Sequence, residues 1–292
     1  MVTKSLINRN MNTLALLSIV VVLLLVGCGT STTAASSSTP APAPTRGSTT
    51  ASATLKHVPT GTADLRWNPS THTLTVKLSL TGLAPNSTHP SHIHAGSCNA
   101  EGKIVYPLRN VVADAYGNGT ATSTVPRVTT GIPAKGWSIE VHNGPGLSPA
   151  DQSLPLVCGD VTNANTSTST IQSVSVAMNT APIASTGESA QGTAQLTLSG
   201  RILTVKLTMS GLAPTIPHPA HIHSGSCAKQ GPVIYPLTNV VADASGNARV
   251  TTTIKNVSSI PSSGWFVNVH YGPGLSNQTE FDPIACGDII VK

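Results

Sequence analysis

The sequence predicts an all-β protein, and three features of the chain support that fold class. Only 9% of the residues are charged, and Thr, Ser, Val and Gly are abundant, a composition typical of β-rich exported proteins. The segments LTVKLSL (74–80) and LTVKLTM (203–209) alternate apolar and polar residues, as strands with one buried face do. Gly, Pro and Asn-Gly clusters separate these short runs, which is the pattern of a β-sandwich or β-barrel.

The chain also contains the same long segment twice. YPLRNVVADAYGNGTAT (106–122) recurs as YPLTNVVADASGNARVT (235–251), and GWSIEVHNGPGLS (136–148) recurs as GWFVNVHYGPGLS (264–276). Each copy has about 110 residues, which is enough for an independent hydrophobic core. We therefore predict two tandem domains, a first repeat at 53–161 and a second repeat at 172–292, joined by the Asn/Ser/Thr-rich linker 162–171.

The N-terminus predicts export and membrane attachment. Lys4 and Arg9 precede an apolar run that ends at Leu-Val-Gly-Cys28, which resembles the lipobox of bacterial lipoproteins. The resemblance implies a signal peptide at 1–28, a lipid on Cys28 and a location on the extracytoplasmic face of the cell membrane. An ordinary signal peptide or a short anchor helix is the alternative. The Ser/Thr/Ala/Pro-rich stretch 29–52 is predicted to be a disordered tether.

The charge distribution argues against nucleic acid as a partner. The formal net charge is +5, but the basic residues are scattered along the chain and form no basic run or patch. No protein partner is indicated by the sequence.

Four cysteines remain after Cys28, two in each repeat. In an exported protein this count predicts one intradomain disulfide per repeat, which the chain-entropy model credits with about 4 kcal/mol for a loop of this length. Metal-ligating thiolates are the alternative, although no C-x-x-C spacing is present.

The histidines form the most specific motif, because H-x-x-H-x-H occurs as HPSHIH (89–94) and as HPAHIH (218–223). On a strand, the two residues of H-x-H point to the same face and can converge on one ion. The other histidine that both repeats share ends an alternating strand, as His142 in the first repeat and His270 in the second. This alternation places Trp137, Ile139 and Val141 in the core and Ser138, Glu140 and His142 on the outer wall.

We therefore expect two three-histidine sites, partly open on the outside of the sandwich and suited to copper or zinc. The competing interpretation is that these histidines are polar residues of a half-buried sheet face and bind no metal.

The same motifs resemble the copper/zinc superoxide dismutase family, through H-x-x-H-x-H, a downstream Cys, N-V-x-A-D-x-x-G, a late V-H and a terminal A-C-G. The resemblance implies tandem immunoglobulin-like Greek-key β-sandwich or barrel domains that bind copper. The implied copper ligands are His92, His94 and His142 in the first repeat and His221, His223 and His270 in the second. His89 and His218 would support these ligands from behind, and the disulfides would be Cys98–Cys158 and Cys227–Cys286.

The chain departs from that family in ways that affect activity. The bridging-histidine positions hold Ile104 and Val233, the zinc-loop aspartate positions hold Pro107 and Pro236, and the guiding-arginine positions hold Pro155 and Pro283. No zinc is therefore expected, and a proton donor and an anion-guiding charge are missing.

The pattern LTVxLxxSGL…AHIH…GPV…VNVH is also similar to CHRD domains, a family without an established activity. Three functions follow as alternatives: a copper-binding surface lipoprotein, a non-catalytic adhesion or scaffold module, and a copper-only superoxide dismutase.

Overall fold

The described residues of the computed structural model, 47–179 and 189–292, form antiparallel sheets, as the alternating sequence predicts. The predicted signal peptide with Cys28, and the tether as far as residue 46, lie outside this range. The first strand nevertheless begins at Thr49, inside the stretch whose composition predicts a tether. No helix in the described ranges is long and apolar enough to cross a membrane.

The strands of residues 49–160 are β1 (Thr49–His57), β2 (Thr60–Asn68), β3 (Thr73–Thr81), β4 (Thr88–His89), β5 (Ser91–Ser97), β6 (Ala100–Pro107), β7 (Val111–Ala113), β8 (Asn118–Val125), β9 (Trp137–His142) and β10 (Pro155–Asp160). A 3-10 turn, Ala150–Ser153, precedes β10. The later strands are β11 (Gln172–Met178), β12 (Gln191–Ser199), β13 (Ile202–Ser210), β14 (Pro217–His218), β15 (Ala220–Ser226), β16 (Lys229–Pro236), β17 (Val240–Val241), β18 (Ala248–Lys255), β19 (Trp265–His270), β20 (Pro283–Asp288) and β21 (Ile290–Val291), with the short helix α1 (Gln278–Phe281) before β20.

Each repeat encloses its own core between curled sheets. In the first repeat, a sheet of order β11-β2-β3-β8-β7-β4 faces a sheet of order β10-β9-β5-β6. In the second repeat, β16-β15-β19-β20-β1-β12-β13-β18 form one continuous curled sheet, β21 adds to β1, and β14 pairs with β17. The inward residues of β3 and β13 follow the predicted alternation, and those buried below 3% exposure are Leu74, Val76, Leu78, Leu80, Leu203, Val205, Leu207 and Met209.

The two repeats exchange their first strands, which the sequence did not predict. β1 opens the first repeat in the chain, but it pairs with β12 from Thr49↔Leu198 to Leu55↔Gly192 and reaches β20 at Lys56↔Cys286. Its counterpart β11 opens the second repeat and pairs with β2 from Gln172↔Trp67 to Met178↔Gly61. Each sandwich is therefore completed by a strand that comes from the neighbouring repeat in sequence.

Side chains of the second repeat also bind backbone groups of the first. Gln278 of α1 donates from Nε2 to the carbonyl oxygens of Thr88 and Asn143, both at 2.8 Å, and its Oε1 accepts from the Thr88 amide at 2.9 Å. Gln230 of β16 donates from Nε2 to the carbonyl of Leu83 at 2.9 Å. Together with the strand exchange, these bonds place all described residues in a single compact unit.

The disulfides Cys98–Cys158 and Cys227–Cys286 are both present, each within one repeat and each with a Cα–Cα distance of 5.8 Å. The first ties the end of β5 to β10, and the second ties the end of β15 to β20. A glycine lies near the turn of the β5–β6 hairpin and of the β15–β16 hairpin. These are Gly96 with φ +104° and Gly225 with φ +97°. A Cβ at Gly96 would lie 2.2 Å from the carbonyl oxygen of Ala100. The pairing of β5 with β6 shifts register between His94 and Gly96, and this close backbone approach requires glycine at position 96.

Candidate metal centres

The histidines of the first repeat converge because β5 and β9 are neighbouring antiparallel strands. His92 lies opposite Glu140 and His94 opposite Ser138, so His92 and His94 share a sheet face with His142 at the end of β9. Nδ1 of His92 is 3.2 Å from Nε2 of His142, and one ligand nitrogen from each ring lies within 4.8 Å of the other two. We call this group site 1.

The second repeat builds the same arrangement, site 2, from His221, His223 and His270. His221 lies opposite Asn268 and His223 opposite Phe266. The ring centroids are 5.2–5.9 Å apart, and ligand nitrogens again lie within 4.8 Å of one another. The side-chain alternation found in the sequence therefore brings together all six histidines in two groups of three.

Hydrogen bonds hold four of the six rings in an orientation suited to a metal. Nδ1 contacts a carbonyl oxygen in each of these rings: His94 to Gly102 at 3.1 Å, His142 to Ser153 at 2.8 Å, His223 to Gly231 at 2.9 Å and His270 to Phe281 at 2.7 Å. Because a carbonyl oxygen only accepts, Nδ1 carries the proton and the Nε2 lone pair faces the centre of the site. This backbone support of the distant ring nitrogen is the usual arrangement around metal-bound histidine.

The donor set fits a metal ion of the imidazole-preferring type. Nε2 of His94, His223 and His270 and Nδ1 of His221 are buried without a hydrogen-bond partner. A metal–nitrogen distance of about 2.0–2.1 Å in tetrahedral geometry sets a nitrogen–nitrogen distance of roughly 3.4 Å, close to the separation of His92 and His142. Three protein nitrogens would leave one coordination position for another ligand.

Burial disfavours the protonated form of several site histidines. Burial, followed by the charges of His142 and His94, lowers the pKa of His92 to about 4. Burial, followed by His223, lowers that of His221 to about 4, and burial lowers the pKa of His270 to about 3. Metal binding requires a deprotonated imidazole, so these rings can bind a cation without first losing a proton.

Both sites are more buried than the partly open sites on the outer face of the sandwich that the alternation predicts. His92 is 8% exposed, His94 3% and His142 5%. The reason is tertiary: the segment after β9 folds back over the sheet and contacts His142 through Ser153, while the β5–β6 hairpin covers His94 through Gly102. Alternation identifies the face on which a side chain lies, but not what later covers that face.

The first histidine of each motif lies behind the ligands. His89 contacts the carbonyl oxygen of His142 through Nδ1 at 2.9 Å and the Ser87 hydroxyl through Nε2 at 2.6 Å. His218 contacts the carbonyl oxygen of His270 through Nδ1 at 3.2 Å. Both rings are fully buried, and each one holds the backbone of the third ligand residue.

The surroundings of the two sites differ although their histidines match. Beside site 1, Oε1 of Glu101 is 2.7 Å from Nδ1 of His94, and Glu140 is fully buried with Oε2 unpartnered. Burial, followed by Glu101 and Asp160, raises the pKa of Glu140 to about 8, so this carboxyl group is largely protonated at neutral pH. His94, Glu101 and Glu140 also bring ligand atoms within 4.8 Å of one another. In the second repeat the matching residues are Gln230 and Asn268.

Site 2 instead lies between the two phenylalanines of the chain. Phe266 stacks on His223 with ring centroids 5.1 Å apart, and Phe281 lies 4.9 Å from the His270 ring. The matching positions of the first repeat hold Ser138 and Ser153. Sequence alternation places Glu140 and Phe266 on the ligand face, whereas Glu101 and Phe281 reach the sites through tertiary contacts.

The positions that depart from the dismutase pattern lie at the margins of these sites. Ile104 and Val233 are 46% and 45% exposed on β6 and β16. Pro107 and Pro236 end those strands, and Pro155 and Pro283 begin β10 and β20.

Comparison with known protein families gives a match, and it covers both repeats. Residues 31–145 and 170–272 match the family model of the CHRD domain. No curated protein matches the chain at a significant level. Because the two matched segments cover well over half of the sequence, the chain belongs to the CHRD domain family.

Proposed function

We propose that this CHRD protein binds copper through three histidines in each repeat, at the extracytoplasmic face of a membrane. The observation that carries the proposal is the recurrence of one arrangement: carbonyl groups hold Nδ1 of two rings per site, and buried Nε2 lone pairs face a common centre. Neutral imidazoles of this kind prefer copper and zinc over oxygen-seeking ions. The resemblance of the ligand motif to copper/zinc superoxide dismutases supports copper as the metal.

The capacity expected from this arrangement is one ion per repeat. Storage or buffering of copper outside the cytoplasm would follow from two enclosed sites on one chain. A bound ion also adds its binding free energy to the stability of the fold that forms the site.

Metal analysis of the purified chain tests this function. After loading with copper and extensive dialysis, we expect two copper ions per chain, one in His92→Ala and none in His92→Ala combined with His221→Ala. His72→Ala is the matched control, since His72 is exposed on the turn before β3. Unchanged metal content in the double variant, or no retained copper in the wild-type chain, would show that the CHRD histidines serve packing and hydrogen bonding alone.

The membrane location is proposed on the sequence of the N-terminus. Cys28 at the end of Leu-Val-Gly-Cys would carry the lipid, and 29–46 would hold the folded unit away from the bilayer. The wild-type protein should partition with membranes and into a detergent phase, and Cys28→Ala should shift it to the aqueous phase. A Cys28→Ala protein that stays with the membrane would contradict lipid attachment.

A further inference from the structure

The two sites have identical ligands and opposite surroundings, which is the basis for a functional difference between them. Histidine binds a metal ion as neutral imidazole, so three histidine ligands per site leave the full charge of the metal uncompensated. The neighbouring residues therefore decide how well each charge state of the ion is tolerated.

Site 1 has acidic groups on one side, Glu101 and Glu140. Glu101 approaches Nδ1 of the ligand His94 at 2.7 Å, and its side chain is 37% exposed. A carboxylate on the distant nitrogen makes the imidazole a stronger donor and offsets positive charge at the metal. Within 47–179 and 189–292, no lysine or arginine forms a salt bridge with Glu101 or Glu140.

Site 2 has apolar and amide groups in the matching places. Phe266 and Phe281 contact the rings of His223 and His270, and Asn268 replaces the buried carboxyl group. Gln230 replaces Glu101, and its side chain turns away to the carbonyl of Leu83 in the first repeat. No carboxylate is therefore provided to His223 from this position.

An apolar cavity extends the surroundings of site 2. It has a volume of about 410 Å³, and the residues of both repeats that line it include Pro85, Tyr116, His223, Gln230, Val233 and Phe281. A higher charge is disfavoured next to an apolar wall, because the lost hydration is not replaced. The cavity exists only because the two repeats are packed together.

We propose that the two sites favour different oxidation states of copper, with site 1 selective for Cu(II) and site 2 for Cu(I). This inference rests on the proposed copper binding and adds which residues separate the two sites. Glu101 and Glu140 act at site 1, and Phe266 and Phe281 act at site 2, as positioning and environment residues that do not themselves bind the ion.

The test compares the two sites within otherwise intact chains. His270→Ala leaves site 1 and His142→Ala leaves site 2, and each chain is titrated with Cu(I) against a bicinchoninate competitor and with Cu(II) under electron paramagnetic resonance. One charge beside a ligand changes the relative affinity for Cu(I) over Cu(II) by at least about tenfold at protein dielectric, and we expect site 2 to have the higher ratio.

Exchange of residues between the repeats tests whether these neighbouring side chains cause the difference in Cu(I)/Cu(II) ratio. Glu101→Gln with Glu140→Asn, the residues of the second repeat, should raise the Cu(I)/Cu(II) ratio of site 1 toward that of site 2. Phe281→Ser, the residue of the first repeat, should lower the ratio of site 2, and Asp64→Asn on the opposite sheet is the control that should change neither.

The outcomes separate the two proposals. Two bound copper ions with equal ratios at both sites, or exchanged residues that leave the ratios unchanged, would overturn the oxidation-state difference and leave copper binding intact. A wild-type chain that retains no copper would overturn both.

Discussion

The surroundings of each histidine ring in this chain decide its role. The six site histidines bring ring nitrogens together in two groups of three, whereas His89 and His218 use Nδ1 to hold the backbone of a ligand strand. His57 belongs to neither group, because it ends β1 where that strand meets β20. Two histidines of the same motif can therefore differ in role although the sequence spacing treats them alike.

His57 allows a prediction for the metal-free protein. Burial lowers its pKa from 6.5 to about 4, so the folded state disfavours the proton that the unfolded chain binds below pH 6.5. Its contribution to the free energy of unfolding is present above pH 6.5 and is lost as the pH falls toward 4, by no more than roughly 3 kcal/mol.

Urea unfolding of the wild type and of His57→Gln, each at about pH 7 and about pH 5, measures this contribution. The wild type should lose more stability on acidification than the variant, whereas His72→Gln, at an exposed position, should follow the wild type. Equal losses in wild type and His57→Gln would contradict the assignment.

At the scale of elements, the exchanged strands β1 and β11 determine how the repeats depend on each other. β1 lies in the interior of the second repeat's sheet, between β12 and β20, and contributes Ala51, Ala53 and Leu55 to that core. β11 lies at the edge of the first repeat's sheet and contributes Val176 and Met178 to the other core. Each of these two strands therefore belongs to one repeat in sequence and to the core of the other repeat in the fold.

Proline substitution tests this exchange. Proline cannot donate a ladder hydrogen bond and is not tolerated in a central strand, so Ala53→Pro should increase hydrogen exchange first in β12 and β20 of the second repeat. Val176→Pro is the matched variant and should act first on β2 of the first repeat. The reverse assignment, with Ala53→Pro opening β2, would show that β1 belongs to the first repeat in solution.

At the scale of the molecule, the two repeats form one compact unit and not two independent domains joined by a linker. Exchanged strands, the Gln278 bonds to Thr88 and Asn143, and the Gln230 bond to Leu83 all cross between them. The side chains that make these bonds, Gln278 and Gln230, both belong to the second repeat. The matching positions of the first repeat hold Ala150 and Glu101, respectively, so the contact is asymmetric. The cavity shared by both repeats adjoins site 2, where His223 and Phe281 line it.

We expect a single cooperative thermal transition for the described part of the chain. Calorimetry should give a calorimetric enthalpy equal to the van't Hoff enthalpy for all of residues 47–292, since neither sandwich is complete without a strand from beyond its own repeat. Two resolved transitions, each with half of the enthalpy, would contradict this coupling.

The sequence by itself determined the all-β class, the duplication, the two disulfide pairs and the grouping of the six histidines. These features depend on residue spacing, because alternation with a period of two assigns each strand residue to a face and repeated motifs identify equivalent positions. The tertiary structure alone decided which repeat each first strand completes, how deeply the histidines are buried, and which residues surround each site. Those properties arise from contacts between distant segments, such as Phe281 on His270 and Glu101 on His94, and local periodicity carries no information about them.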